Sequence, residues 1–144
     1  EINVSAFSKL SSFLPLTDAA AGHMPTDVSI EHIETVQVRR LDEVLPPLRQ
    51  SHGFSRPYLK IDTQGYDLAV IAGAGDQLAT MIAAQTELSF QPLYEGMPTW
   101  REVIDTLGSH GFSVSGMYPV IQDRQLRAIE LDCLLINDRL LPPA

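Results

Sequence analysis

Two carboxylates hold the residue types and positions that could do chemistry in this chain. Asp62 ends the short apolar run "YLKI" and is followed by Thr63-Gln64-Gly65 and then "YDLAVIAGA". An aspartate at such a strand-to-helix junction has two readings. It can cap the helix, worth about 0.5–2 kcal/mol, or it can face the hydroxyl or ammonium group of a ligand. The helix N-terminus favours its ionised form in both cases. Gly65 adds a position where a ligand can approach the backbone closely. Glu87 interrupts the otherwise apolar "TELSF". A carboxylate in a central strand is costly without a partner, so it faces a ligand or polar network, or else the surface. If the two are neighbours, their like charges should raise one pKa or draw a cation between them.

Other chemistry has weaker support. None of His23, His32, His52 and His110 has another histidine four residues away, and no recognised metal-ligand spacing occurs, so no metal centre is expected. "GAGDQL" lacks the third glycine of a dinucleotide fingerprint and follows a helix rather than a strand. No phosphate-loop lysine and no Gly-x-Ser-x-Gly elbow is present. Ser11 and Ser12, in "SKLSSF", read either as a hydroxyl-bearing pocket wall or as a solvated turn.

The elements that must position these groups follow from periodicity. "EINVSA" alternates as a short strand, residues 17–30 read as a mobile loop, and "ETVQVRRL" alternates as a second strand. Asp42 can cap a helix whose length Pro46-Pro47 should limit, with Gly53 as its stop. In the strand 58–62, Leu59 and Ile61 point one way and Tyr58, Lys60 and Asp62 the other. A helix after Gly65 ends at Gly73 or Gly75, and "DQLATMIA" can form a further helical stretch. "AQTELSFQPLY" is the next strand. Trp100, Val103, Ile104 and Leu107 then mark an amphipathic helix, in which Trp100 reads as core, closed by Gly108 or Gly111. "FSVSGMYPVIQD" and "LRAIELDCLLIND" form an antiparallel pair, with Cys133 as a buried strand thiol, and "RLLPPA" is a frayed tail. The order predicts an α/β fold with parallel strands joined by crossover helices and a C-terminal antiparallel strand pair. Right-handed crossovers would bring the ends of 58–62 and 85–90 together at the sheet edge where α/β folds bind ligands, placing Asp62 and Glu87 in one crevice.

Composition narrows the classes. The 144 residues, 44% hydrophobic, suit one domain spanning 1–144. A formal charge of −8, from 18 acids against 10 bases, repels phosphate backbones, and Arg39-Arg40 is too small a basic cluster to offset it. Nucleic acid is therefore not expected as a partner. No apolar run approaches the roughly 18 residues of a membrane span, so no membrane is expected. A single cysteine fits a reducing, cytoplasmic setting.

Five ordered blocks, "VQVRRLDEVL", "YLKIDTQGYDLAVIAGA", "TELSFQPLYEGMPTWREVIDTLGSHGF", "SGMYPV" and "ELDCLLIND", together resemble the later half of FkbM-type methyltransferases. The opening "NVSAFSKLSSFLPL" resembles the Ser-rich segment that precedes them there. The resemblance implies a partial Rossmann-like methyltransferase fold, with 58–62 as its fourth strand and 85–90 as its fifth. It implies S-adenosylmethionine as methyl donor and a small-molecule or sugar hydroxyl as acceptor. By the same resemblance, Asp62, Gln64 and Gly65 would lie where donor and acceptor meet, with Ser11, Ser12, Tyr94 and Glu95 on the acceptor side. Asp62 and Glu87 are both candidates for the base. Asp67 departs from the family's usual glutamate and shortens its reach by one methylene. The family's glycine-rich cofactor loop and ribose-holding acid would precede Glu1, so the chain is expected to be the C-terminal portion of the domain. The strand 58–62 would then be an exposed edge able to pair two copies into a homodimer. The alternative reading is a non-catalytic α/β binding or assembly module built on the same fold.

Overall fold

The computed structural model describes residues 1–21 and 27–142. It contains two sheets. The smaller is an antiparallel pair, β1 (Ile2–Ser5) with β2 (Ile30–Glu34). The larger combines β3 (Tyr58–Ile61), β4 (Ala83–Ser89), β5 (Phe112–Gln122) and β6 (Ala128–Asn137) in the order β3-β4-β6-β5. β3 and β4 are parallel, while β6 runs antiparallel to both β4 and β5. The expected α/β class and the C-terminal antiparallel pair are thus present. The sheet is mixed rather than mainly parallel, and it is β6, not β5, that lies against β4.

Helices α2 (Leu41–His52), α3 (Asp67–Ala74) and α4 (Trp100–Ser109) cover one face of this sheet. There Leu59 and Ile61 of β3, Ala84 and Leu88 of β4, and Cys133 and Leu135 of β6 pack against Leu45, Ile71, Val103 and Leu107. The period of two in the strands puts Tyr58, Gln85 and Asp132 on the opposite face. Tyr58 Oη donates to Gln85 Oε1 (2.7 Å) and Gln85 Nε2 to Asp132 Oδ1 (2.7 Å), a chain of hydrogen bonds across three strands. No helix among the described residues is long and apolar enough to cross a membrane.

Several elements differ from the sequence-based expectation. The segment 17–30 contains a short helix, α1 (Asp18–Ala21), and the first residue of β2, while residues 22–26, with Gly22, His23 and Pro25, lie outside the described residues. The strand expected over "ETVQVRRL" lies earlier, at Ile30–Glu34. Alternation alone does not make a strand; β1 offers four residues for pairing, and these pair with positions between Ile30 and Glu34, so Val36 and Val38 remain outside a ladder. α2 runs through Pro46 and Pro47. Both are exposed, so water can meet the Asp42 and Glu43 carbonyls that lose their helical donors. The N-cap of α2 is Arg40, and Asp42 is engaged by the Arg40 guanidinium instead of capping. Arg39 pairs with Glu43, which leaves no basic patch here. Gly53, at φ +69°, stops the helix as expected. In the tail, Asp138–Leu140 form a 3-10 turn, and residues 143–144 lie outside the described residues.

α4 starts at Trp100, the first of the apolar positions that marked it, and runs past Gly108 to Ser109. Thr99 Oγ1 accepts from Glu102 N (3.3 Å) while Glu102 Oε2 accepts from Thr99 N (2.7 Å), a reciprocal cap that satisfies two end N–H groups. Thr99→Ala is expected to cost about 1 kcal/mol in urea unfolding; an unchanged midpoint would mean the helix start is held by packing alone.

Candidate active site

The parallel pairing of Ile61 with Thr86 sets the geometry at the strand ends, since the next residues along are Asp62 and Glu87. After Asp62 the chain turns through Gln64 (φ +50°) and Gly65 (φ +91°). This turn brings Gln64 back over the strand ends, where its Nε2 donates to Asp62 Oδ1 (2.9 Å) and Glu87 Oε2 (3.1 Å). Two further contacts hold Gln64. Ser12 Oγ donates to its carbonyl oxygen (2.7 Å), and Tyr94 Oη donates to its Oε1 (2.8 Å). With Oε1 occupied, the amide presents its N–H groups to the two carboxylates.

A cavity of about 530 Å³ opens above this pair. Its lining includes Asp62, Gln64 and Glu87, together with Ser8, Lys9 and Ser11 from the N-terminal segment and Glu130 from β6. Glu130 is buried and its Oε1 accepts from Ser89 Oγ (3.0 Å). Three carboxylates therefore face one small volume.

Their environments separate them. Burial works to raise the Asp62 pKa, but hydrogen bonds from Lys60 and Gln64 and the Lys60 charge outweigh it and hold the group below its ordinary value. For Glu87, burial is the largest effect, and the charges of Glu130 and Asp62 add to it. Its pKa is raised to about 7. Burial also raises Glu130, offset in part by the Ser89 hydroxyl. Tyr94 is raised by burial and then by the nearby carboxylates, so it stays a protonated donor at neutral pH. Carboxyls with pKa values driven apart in this way can act as one ionised group and one proton-exchanging group.

The helix-cap reading of Asp62 does not hold, because α3 begins five residues later with Tyr66 at its N-cap and no side-chain cap. Ser11 lines the cavity, whereas Ser12 and Tyr94 are buried and hydrogen-bond to Gln64. Glu95 is exposed, and its backbone N–H donates to the Pro15 carbonyl (2.8 Å). Gly65 meets protein rather than open space: a Cβ there would lie 3.0 Å from Met97 Cβ and 3.2 Å from Leu14 Cδ1. Asp67 is buried at the start of α3 and accepts from Thr86 Oγ1 (3.2 Å). Lys60 and Glu130 were not singled out by sequence. Strand alternation carried a signal for Lys60, which shares the face of Asp62, whereas Glu130 is placed by the β4–β6 register that pairs it with Ser89.

The family model for the Methyltransferase FkbM domain matches residues 2–114. The chain belongs to the FkbM methyltransferase family. No curated protein and no solved structure matches it. FkbM methyltransferases generally depend on S-adenosylmethionine, and the matched region contains Asp62, Gln64, Glu87 and Tyr94. Glu130 lies beyond it, so the third carboxylate reaches this FkbM cavity from a strand outside the matched residues.

Proposed function

We propose that this chain transfers a methyl group from S-adenosylmethionine to a hydroxyl of a small molecule, at the cavity formed by Asp62, Gln64, Glu87 and Glu130. The observation that carries this reading is the unequal pair at its centre. Asp62 is held ionised by Lys60 and Gln64, beside a Glu87 that exchanges its proton near pH 7. The donor set fits the charged end of S-adenosylmethionine, because carboxylates favour an ammonium or sulfonium cation. When bound, that cofactor supplies an electrophilic methyl group.

The chain's own residues then have separable tasks. Asp62 and Gln64 would hold the cationic end in place. Glu87 Oε1 or Oε2 would accept the acceptor's hydroxyl proton, for which a group titrating near the working pH is the effective choice. Tyr94 and Ser12 would keep Gln64 fixed so that the reacting groups are aligned before reaction. Three carboxylates at the cavity also favour a neutral or cationic acceptor over an anionic one, which argues against nucleic acid.

A second reading, the non-catalytic binding or assembly module, draws on β3. It stands at the edge of its sheet and leaves one side of its backbone without a strand partner among the described residues. Calorimetric titration with S-adenosylhomocysteine separates the two. Saturable binding that Asp62→Ala weakens at least tenfold supports the transferase. Absence of both binding and methyl transfer favours the module, and self-association through β3 would then be the property to measure by sedimentation.

A further inference from the structure

We infer that a second cleft, beside Trp100, binds a small molecule that joins an aromatic ring to an anionic group. The cleft has a volume of about 330 Å³, at the lower end of the range for small-molecule pockets, and its lining includes Phe90, Pro92, Met97, Pro98, Trp100 and Arg101. Its apolar wall is interrupted by the polar Ser89, Gln91 and Thr99, and two contacts fix its shape. Phe90 and Trp100 pack with ring centroids 5.2 Å apart, and Met97 is pinned because its Sδ accepts from the backbone N–H groups of Leu93 (3.2 Å) and Tyr94 (3.3 Å). Phe90 is nevertheless 41% exposed, leaving apolar ring surface open to a ligand.

The charge comes from Arg101. Its guanidinium lies 4.5 Å from the Trp100 ring centroid, and among the described residues it has no hydrogen-bond or ion-pair partner. A guanidinium held against a ring keeps its in-plane N–H donors free, in a fork that matches a carboxylate, sulfonate or phosphate. The start of α4 is a poor competitor for that anion, since Glu102 caps the Thr99 N–H and places a carboxylate there. In a chain of net charge −8, an unpaired cation at the mouth of an aromatic cleft selects for a ligand with both features. The cleft is lined by none of the residues of the carboxylate cavity, so the inference does not depend on methyl transfer.

Trp100 is the only tryptophan and serves as the reporter. Its fluorescence is titrated with 8-anilinonaphthalene-1-sulfonate and, in parallel, with N-phenyl-1-naphthylamine, which has the same ring systems without the sulfonate. The expected result is one saturable site for the sulfonate probe, with energy transfer from Trp100. Arg101→Ala should weaken that probe at least tenfold and the neutral probe less than twofold, whereas Phe90→Ala should weaken both. Circular dichroism of each variant checks that the fold is intact. The inference is overturned by absence of binding, by probe binding that leaves Trp100 emission unchanged, or by an Arg101→Ala variant that affects the two probes alike.

Discussion

Glu87→Gln is expected to lower methyl transfer roughly 10²–10⁴-fold, the usual worth of a positioned general base, while making the protein more stable above neutral pH. Both effects come from one cause. Burial and the charges of Glu130 and Asp62 raise the Glu87 pKa from 4.5 to about 7, so the folded protein keeps a proton that the unfolded chain releases earlier. Stability from that proton is fully present below about pH 4.5 and is lost as pH rises through about 7, and because solvent screens this half-buried group the total stays well under about 3 kcal/mol. Glutamine never ionises. The variant should therefore match the wild type in urea unfolding near pH 4 and exceed it near pH 8. The wild-type rate should rise with pH through about 7, as the base becomes available, and the variant should show no such rise. A variant that keeps the wild-type pH–rate profile would remove Glu87 from the proton-transfer role. Equal unfolding midpoints near pH 8 would remove the stored repulsion.

Gly65→Ala is expected to cost roughly 2–5 kcal/mol and to weaken S-adenosylhomocysteine binding together with stability. Two terms add. The position has φ +91°, which disfavours any L side chain by about 1–2 kcal/mol. The new methyl would also sit 3.0 Å from Met97 Cβ, 3.2 Å from Leu14 Cδ1 and 3.4 Å from Tyr94 Cβ, and overpacking of this kind costs about 1–3 kcal/mol. Relief requires the turn to shift, and Gln64, one residue earlier, is what bridges the two carboxylates. Thermal unfolding and the calorimetric titration read the two consequences separately. A midpoint close to the wild type would show that the turn relaxes without strain.

Residues whose environment follows from local pattern were the legible ones. The alternation in 58–62 anticipated which side Asp62 takes, and the βαβ order anticipated that it meets Glu87. The capped start of α4 and the closing hairpin were likewise written in short-range signals. What stayed hidden depended on partners remote in sequence. The position of β2 is set by β1, nearly thirty residues away, and not by the alternating valines that follow it. Glu95 adjoins a buried tyrosine, yet the turn directs it outward, and no periodicity reports that. Glu130 reaches the cavity only because β6 inserts beside β4, a choice of neighbour that strand patterns leave open. Likewise, what separates Asp62 from Glu87, the Lys60 contact on one side and burial with the Glu130 charge on the other, depends on neighbours that the two local segments do not show.

That insertion also orders events during synthesis. β6 leaves the ribosome after β3, β4 and β5, yet it is the strand that joins β4 to β5, through ladders such as Thr86 with Cys133 and Val114 with Leu135. Until it emerges, β4 lacks one of its two neighbours and β5 has none within the larger sheet. The early product is a β3–β4 pair with an open side, and the Glu130 carboxyl is not yet present to act on Glu87. Contacts spanning this much chain make sheet closure slow relative to helix formation. The nascent chain thus exposes the side of β4 to aggregation for as long as β6 is missing.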